Sequence, residues 1–358
     1  MKIARLPVCL CLLMVMTTAV FAMGEGASDE MKFMGSSDVI KPSPIMTKLT
    51  KITSTGHNVY PACASDGDIA FQTYTEEETV NSEGNKVAVG VFNIMISNGN
   101  TYSMVTNDKH KNEFPAFVND QKIIFSSNRM WNEKLWIADA SGKGGLIQLT
   151  SSNTNDFFPN VSRDGKKVVF SSFMKYFTPP LSVANLGARW MIWGMLGEMP
   201  TIWMVDVDGR NLTQFTEGIR PVWSPDGKKI AFYKQTGKYY QVWVMDSDGS
   251  SQTQLTNGEY NSMEPSWTPD GRLVFASNAA GNYDIWSQKI DGTELTQLTI
   301  QDSYEGAPVC SHDGKYIYFH SFLGKKWNIW QMELAKPFQP DVAKPVPVPA
   351  VHGAGPTI

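Results

Sequence analysis

Short runs of alternating apolar and polar residues recur along the chain, and turn residues separate them. The run Lys229–Tyr233 is an example: an Asp-Gly pair precedes it and an Ile-Trp-like pair follows it. Alternation with a period of two is typical of β-strands. Asp-Gly pairs favour tight hairpins because both residues tolerate positive φ. The pattern predicts many short antiparallel strands and argues against a helical bundle.

One unit repeats six times. Each copy places an aspartate five residues after a proline, then an apolar strand, an Ile-Trp-like pair and a Gln-Leu-Thr-like ending. The six prolines are separated by 54, 44, 62, 44 and 43 residues; they are Pro61, Pro115, Pro159, Pro221, Pro265 and Pro308. A period near 44 with four strands per unit is typical of a β-propeller. We therefore predict an all-β, six-bladed β-propeller of four-stranded blades over residues 45–337.

The two ends of the repeat region complete each other. After Pro308 the last unit supplies three strands, and the chain then becomes proline-rich and cannot pair. We expect Ile45–Thr50 to supply the missing outer strand and to close the ring. Five tryptophans fill one repeated site, which predicts packing between blades: Trp136, Trp203, Trp243, Trp286 and Trp330.

Both termini differ from the repeat region. Residues 1–22 have the features of a secretory signal peptide, with Lys2 and Arg5 before an apolar core. A membrane anchor is the alternative, but the apolar run is shorter than the roughly 20 residues that a span needs. We expect residues 23–44 to be a flexible segment and residues 338–358 a proline-rich tail. The prediction is an exported protein, with the periplasm as its compartment.

Composition and charge narrow the classes of partner. The chain is 42% hydrophobic and 18% charged, its formal net charge is −4, and it has no basic block. These values argue against a disordered polyelectrolyte and against nucleic acid as a partner. Outside the leader the chain has two cysteines, Cys63 and Cys310, for which we predict buried free thiols rather than a disulfide.

The repeat resembles that of a known family. The segments PVWSPDGKKIAF, VWVMDSDG and TQLT are similar to the TolB-type β-propeller repeat. That repeat also occurs in the propeller domains of prolyl-oligopeptidase-like enzymes and in oligogalacturonate lyases. TolB proper carries an α/β domain ahead of its propeller, and this sequence departs from it there. It also lacks the G-x-S-x-G nucleophile motif of the peptidases, so the resemblance implies a fold more than an activity.

Two units carry insertions between their second and third strands, at roughly Thr73–Val91 and Phe173–Met199. The first is acidic and predicted to be solvated. The second is rich in aromatic residues and methionine, so it is a cap with its apolar side buried, a surface that binds a protein partner, or a lid over a ligand. Its candidate partner-binding residues are Phe173, Tyr176, Phe177, Trp190 and Trp193.

Polar residues also cluster where the fourth strand of one blade leads to the first strand of the next. Seven residues of these connections are placed at one mouth of the central channel as candidate ligand-binding groups: His57, His110, Glu113, Asp156, Arg220, Glu264 and Glu305. His320, at the end of the second strand of the last blade, is expected on the same face and is the eighth candidate. Three histidines and several carboxylates could hold a divalent metal ion. Solvated loop residues that bind no ligand are the alternative interpretation.

Two functions follow from these observations. The first is a non-catalytic binding scaffold for a protein, a peptide or another envelope component, with no cofactor. The second is a metal-dependent lyase or hydrolase that acts on an acidic oligosaccharide at the channel mouth, with Arg220 as a carboxylate clamp. The resemblance to oligogalacturonate lyases, which use a histidine-rich metal site, motivates the second function. We predict the first function because a fold alone does not confer chemistry.

Overall fold

The computed structural model describes residues 41, 43–80, 84–173, 199–323 and 326–339. The described residues form 24 β-strands and no helix. The strands build six antiparallel sheets of four strands each. Long apolar helices that could cross a bilayer do not occur in these ranges. The prediction of an all-β, six-bladed propeller is confirmed.

The first three blades have the strand order of the chain. Blade one contains β2 (His57–Cys63), β3 (Ile69–Val80), β4 (Lys86–Ser97) and β5 (Tyr102–Met104). Blade two contains β6 (Asn112–Asn119), β7 (Lys122–Met130), β8 (Asn132–Asp139) and β9 (Ile147–Gln148). Blade three contains β10 (Asn155–Val161), β11 (Lys167–Phe173), β12 (Thr201–Asp206) and β13 (Thr213–Glu217).

The last three blades follow the same order, and the sixth includes a strand from the start of the described chain. Blade four contains β14 (Ile219–Trp223), β15 (Lys229–Thr236), β16 (Tyr239–Asp246) and β17 (Thr253–Gln254). Blade five contains β18 (Ser262–Trp267), β19 (Leu273–Ser277), β20 (Asp284–Gln288) and β21 (Thr296–Gln297). Blade six contains β22 (Glu305–Cys310), β23 (Tyr316–Ser321), β24 (Asn328–Leu334) and β1 (Met46–Lys51).

The ring is closed by the predicted N-terminal strand. Strand β1 pairs antiparallel with β24, and Leu49 lies opposite Met332 in the register. The backbone N–H of Ala335 donates to the carbonyl of Ile45 at 3.0 Å, which continues the pairing past the strand. Blade six therefore combines segments almost 300 residues apart in sequence, and β24 has no open edge.

The core lies between neighbouring blades. In the gap between blades two and three, Ile124 and Leu135 pack against Phe170, with Trp203 at the edge of the cluster. Trp136, Trp243 and Trp286 occupy the corresponding clusters of the other gaps, and Trp330 packs in the cluster that includes residues of blades five and six. The predicted packing role of the five tryptophans is confirmed.

The first insertion is a correction to the sequence interpretation. Residues 73–80 and 86–91 do not form loops, because they extend strands β3 and β4 into one long antiparallel pair. Pairing continues without a break from Ile69 opposite Ser97 to Val80 opposite Lys86. The acidic residues Glu77 and Glu78 are exposed on this pair of strands. β-Branched residues such as Thr75 favour the extended conformation, which explains the longer ladder.

Candidate functional site

A bulge interrupts the innermost strand of every blade at one repeated position. The residue before the repeat proline has a φ between 48° and 55° in all six blades; these residues are Tyr60, Phe114, Phe158, Arg220, Glu264 and Ala307. The strand register shifts at the same place in each blade. Such values are uncommon for residues with large side chains, and a bulge redirects a side chain from the sheet. We call these six residues the plug.

Three aromatic members of the plug pack together. The ring centroids of Phe114 and Phe158 are 4.1 Å apart, and those of Tyr60 and Phe114 are 4.8 Å apart in an edge-to-face arrangement. Tyr60 also contacts Phe158, at 6.1 Å. Since these residues come from blades one, two and three, their contacts run around the channel axis rather than along one sheet.

The other side of the plug is charged. The guanidinium carbon of Arg220 lies 5.4 Å from the centre of the Tyr60 ring, so the side chain reaches from blade four across the channel to blade one. Its Nη1 lies 3.1 Å from Oε1 of Glu264 in blade five. The other carboxylate oxygen of Glu264 accepts a hydrogen bond from the backbone N–H of Ala307 at 2.6 Å. The six blades therefore meet in one network on the axis.

His320 supports the plug from blade six. Its Nδ1 accepts a hydrogen bond from the backbone N–H of Tyr60 at 3.3 Å, and its ring stacks on Tyr304. Trp327 contacts the same ring edge-on. Burial, with the charge of Arg220, lowers the pKa of His320 well below its usual value. A neutral imidazole suits this position because its Nδ1 must accept a hydrogen bond.

A cavity of about 780 Å³ lies on the side of the plug opposite His320. Its lining includes Tyr60, Phe114, Phe158 and Arg220 of the plug, all six repeat prolines, and the hairpins that join the first and second strands. The rim residues that are exposed include Ser65, Asp120, Arg163, Asp164 and His312. The channel is thus a cup that opens at the hairpin face and is floored by the plug. Its volume falls within the range of small-ligand pockets.

The predicted channel-mouth residues do not share one site. Arg220, Glu264 and His320 form or support the plug, whereas His110 is exposed in a connection. His57 is half-buried and its ring contacts Tyr74. Within the described ranges, no group of three or more His, Cys, Asp or Glu side chains is placed to hold a metal ion. The predicted cluster of histidines therefore lacks a common geometry here, and ligand binding by these eight residues stays a prediction.

Three other predicted channel-mouth residues carry buried carboxylates and are not part of the cup lining: Glu113, Asp156 and Glu305. Asp156 forms a 2.9 Å ion pair with Lys134, and both side chains are almost wholly buried. Glu113 lies 4.0 Å from Nζ of Lys111. Glu305 accepts hydrogen bonds from Ser303 and Ser321, and burial raises its pKa well above its usual value. These contacts give each carboxylate a partner within the protein.

Most of the second insertion lies outside the described residues. Tyr176, Phe177, Trp190 and Trp193 fall in residues 174–198, for which no contacts are described. Phe173 ends strand β11, where it is buried and packs edge-to-face on Phe157 at 5.6 Å. Partner binding by this insertion stays a prediction.

The two cysteines are free. Cys63 packs with Ile69 and Tyr318 in the cluster between blades six and one. Cys310 packs in a different cluster, with residues of blades five and six. Both residues line the cup, but their side chains pack in different clusters between blades, which explains the absence of a bridge. Burial raises the pKa of the Cys63 thiol to about 12, so it is neutral at physiological pH.

The sequence analysis did not identify the cup. It placed the candidate site at the connections between blades, because the long insertions and the histidines lie there. The available signal was the residue before each repeat proline, which occupies the same backbone position in every blade. Its side chain changes from tyrosine to phenylalanine, arginine, glutamate and alanine, so no consensus marks it.

Comparisons with known proteins agree on the fold. Residues 196–340 match the family model of the TolB beta propeller domain. An uncharacterized protein of Agrobacterium fabrum is 31% identical over 139 residues, which span 36% of this chain and 42% of that protein. The chain therefore covers less than half the length of this curated relative.

Solved structures extend the likeness beyond the matched segment. A putative TolB from Agrobacterium tumefaciens superposes with a TM-score of 0.50 at 20% identity, over 62% of this chain and 74% of that chain. An oligogalacturonate lyase in complex with manganese gives a TM-score of 0.53 at 14% identity, over 83% and 95% of the two chains. Likeness at these identities concerns the fold alone. The segment at residues 196–340 that matches the TolB beta propeller domain thus lies within a closed ring of six four-stranded blades.

Proposed function

We propose that this protein is an exported, non-catalytic binding scaffold that acts in the periplasm. Its ligand is a protein, a peptide or another component of the cell envelope. The signal-like features of residues 1–22 and the TolB-type repeat support this compartment. No cofactor is required for such a role.

The observation that carries the proposal is the cup. All six blades contribute to its lining, and the plug holds them together at its floor. A site built on rigid strands keeps its shape without a ligand, which lowers the entropic cost of binding. The exposed rim offers both charged and hydroxyl groups, whereas the walls carry proline rings and the edges of Trp223 and Trp267. This combination fits recognition by shape and by a few polar contacts.

The insertion at residues 174–198 is proposed as a second contact region for a macromolecular partner. Four of the aromatic candidates, Tyr176, Phe177, Trp190 and Trp193, lie in it and have the side-chain type that dominates protein interfaces. It leaves the ring between strands β11 and β12, and therefore at the face opposite the cup rim. The two regions can consequently be tested separately.

The alternative, a metal-dependent lyase or hydrolase, receives less support from the geometry. Its motivation was a cluster of histidines and carboxylates at one opening, and the described residues do not form such a cluster. The likeness to an oligogalacturonate lyase, at 14% identity, concerns the fold alone.

Affinity capture from detergent-solubilised envelope tests the proposed function. The baits are the natural chain, a variant that lacks residues 174–198, and Ser266→Trp, which places a large side chain in the lining of the cup. We expect the natural chain to retain a defined partner, identified by mass spectrometry and confirmed by titration with the purified partner. Either the variant without residues 174–198 or Ser266→Trp should fail to retain this partner. Recovery of the same proteins by all three baits would contradict the proposal.

Export is tested by fractionation of cells that produce the complete chain. We expect the protein in the periplasmic fraction, with an N-terminus near Met23. Retention of the intact N-terminus in the cytoplasm would contradict the proposed compartment.

A further inference from the structure

Arg220 is an unusual member of the plug because it is charged, largely buried and next to the cup. Its side chain is 13% exposed, and it belongs to the lining of the cavity. The contact with the Tyr60 ring places its guanidinium on the channel axis. The charged end of this side chain thus lies at the centre of the cup floor.

The guanidinium of Arg220 is incompletely paired. Its Nη1 is close to Glu264, but the alignment is not that of a hydrogen bond. Among the contacts of the described residues, none of its N–H groups donates a hydrogen bond. Buried polar groups in proteins are normally hydrogen-bonded, and a buried charge is costly without such partners. The arrangement is that of a binding group whose acceptor comes from a ligand.

The surroundings define the chemistry of that acceptor. A guanidinium presents paired donors that match the two oxygens of a carboxylate. Glu264 already places one negative charge beside Arg220, and Asp120 and Asp164 add more at the rim. A singly charged planar anion therefore fits better than a doubly charged phosphate. Around the floor, the six repeat prolines line the cavity and supply apolar contacts without backbone donors.

We infer that the cup binds a carboxylate, held by Arg220, whose adjoining atoms are apolar and contact the ring of prolines. The inference rests on the proposed binding function and names the chemistry of the ligand. The carboxylate belongs either to a small organic acid or to the C-terminus of a peptide, since both present the same group.

Calorimetric titration with carboxylate probes and their amides tests the inference. The probes are benzoate against benzamide, and acetyl-trialanine with a free C-terminus against its amide. We expect at least one carboxylate to bind ten times more tightly than its amide. Trp223 and Trp267 line the cup, so a change in their fluorescence reports occupancy of this cavity. The probe that binds distinguishes a small acid from a peptide end.

Two substitutions with opposite effects locate the interaction. Arg220→Gln should weaken binding of the carboxylate at least tenfold, whereas Glu264→Gln should strengthen it severalfold because it removes a competing charge. Arg210→Gln is the matched control, since Arg210 is exposed and pairs with Asp208 in a hairpin outside the cup lining. It should leave binding unchanged.

Equal affinity for each carboxylate and its amide would overturn the inference. The inference would also be overturned if Glu264→Gln bound the carboxylate no more tightly than the natural chain does. This result counts even if Arg220→Gln fails to fold. A chain that captures an envelope partner but binds no carboxylate would retain the proposed function and lose this inference. A chain that binds a carboxylate but captures no envelope partner would retain this inference and lose the proposed function.

Discussion

At the scale of single residues, burial determines the chemistry of the titratable groups. Asp284 and Glu305 lie at the starts of strands β20 and β22, and each carboxyl group influences the pKa of the other. Burial raises the pKa of Asp284 to about 6, and burial also raises the pKa of Glu305 well above its usual value. Two adjacent carboxyl groups titrate as a pair, and a retained proton lets one donate to the other.

This pair predicts a loss of stability as pH rises. The pKa of Asp284 is raised in the folded state, so the contribution is complete below about pH 4 and is lost as pH rises through about 6. The variant Asp284→Asn has no titratable carboxyl group at this position, so it lacks this pH-dependent contribution. We expect the free energy of unfolding of the natural chain to fall relative to this variant between pH 4 and pH 7. One unit of pKa shift corresponds to about 1.4 kcal/mol.

Urea denaturation at a series of pH values measures this difference. Asp291→Asn serves as the control, because Asp291 is exposed in a hairpin and its pKa is lowered by its hydrogen bonds to Thr293. A constant difference in stability between the natural chain and Asp284→Asn across this range would show that the pair does not titrate as described.

The two cysteines give a second prediction at this scale. Since Cys63 and Cys310 lie in different gaps between blades, the purified protein should contain two free thiols. In the native state both should react slowly with a thiol reagent, because burial raises their pKa values and the thiolate is the reactive form. Denaturation without a reductant should release both. A count of zero in the denatured, unreduced protein would indicate a disulfide.

At the scale of elements, strand β1 is the segment on which closure of the ring depends. Deleting residues 23–50 removes nearly all of it and leaves β24 as an open edge. Deleting residues 23–44 keeps the strand; among the described contacts, it removes the two hydrogen bonds between the Lys41 backbone and Gln301. The first truncation should therefore melt at a clearly lower temperature than the second. Equal melting temperatures, measured by circular dichroism, would refute the closure.

The sequence predicts these elements well where a local rule repeats. Prolines and Asp-Gly turns at a regular interval define six blades, and the missing last strand points to Ile45–Thr50, close to the observed Met46–Lys51. The hairpin of blade one was harder to predict, because an acidic run such as Glu76–Glu78 resembles a loop in composition. Its pairing depends on the partner strand β4 rather than on its own residues.

The cup was the least predictable part. Its floor depends on a backbone conformation shared by six residues of different chemistry, and only their position before a repeat proline marks them in the sequence. Arg220 and Glu264 were identified as candidates, but their ion pair across two blades is a product of the ring. Residues such as His110, chosen for their chemistry alone, were not brought into a common site.

At the scale of the whole molecule, one closed ring joins the two ends of the described chain. Each blade packs mainly against its two neighbours, and the plug adds contacts across the axis. Opening the ring at any gap exposes two apolar blade faces, so the barrier to unfolding should depend on the closure in blade six. A covalent link at that closure is therefore a test of the complete architecture.

The paired change Thr50→Cys and Gln331→Cys provides that link. These residues lie opposite each other in strands β1 and β24, and both are half-buried, so the core is left intact. Directly opposite residues in antiparallel strands have Cα atoms about 4.5–5.5 Å apart, which a disulfide can span. The loop it closes is very long, and the chain-entropy relation gives a stabilisation on the order of 5 kcal/mol. We expect the oxidised variant to unfold at a higher denaturant concentration than the same protein under dithiothreitol. A single thiol change at Thr50 should show no such dependence on reductant. If the linked and reduced forms unfold at the same concentration, the closure is not where the ring opens.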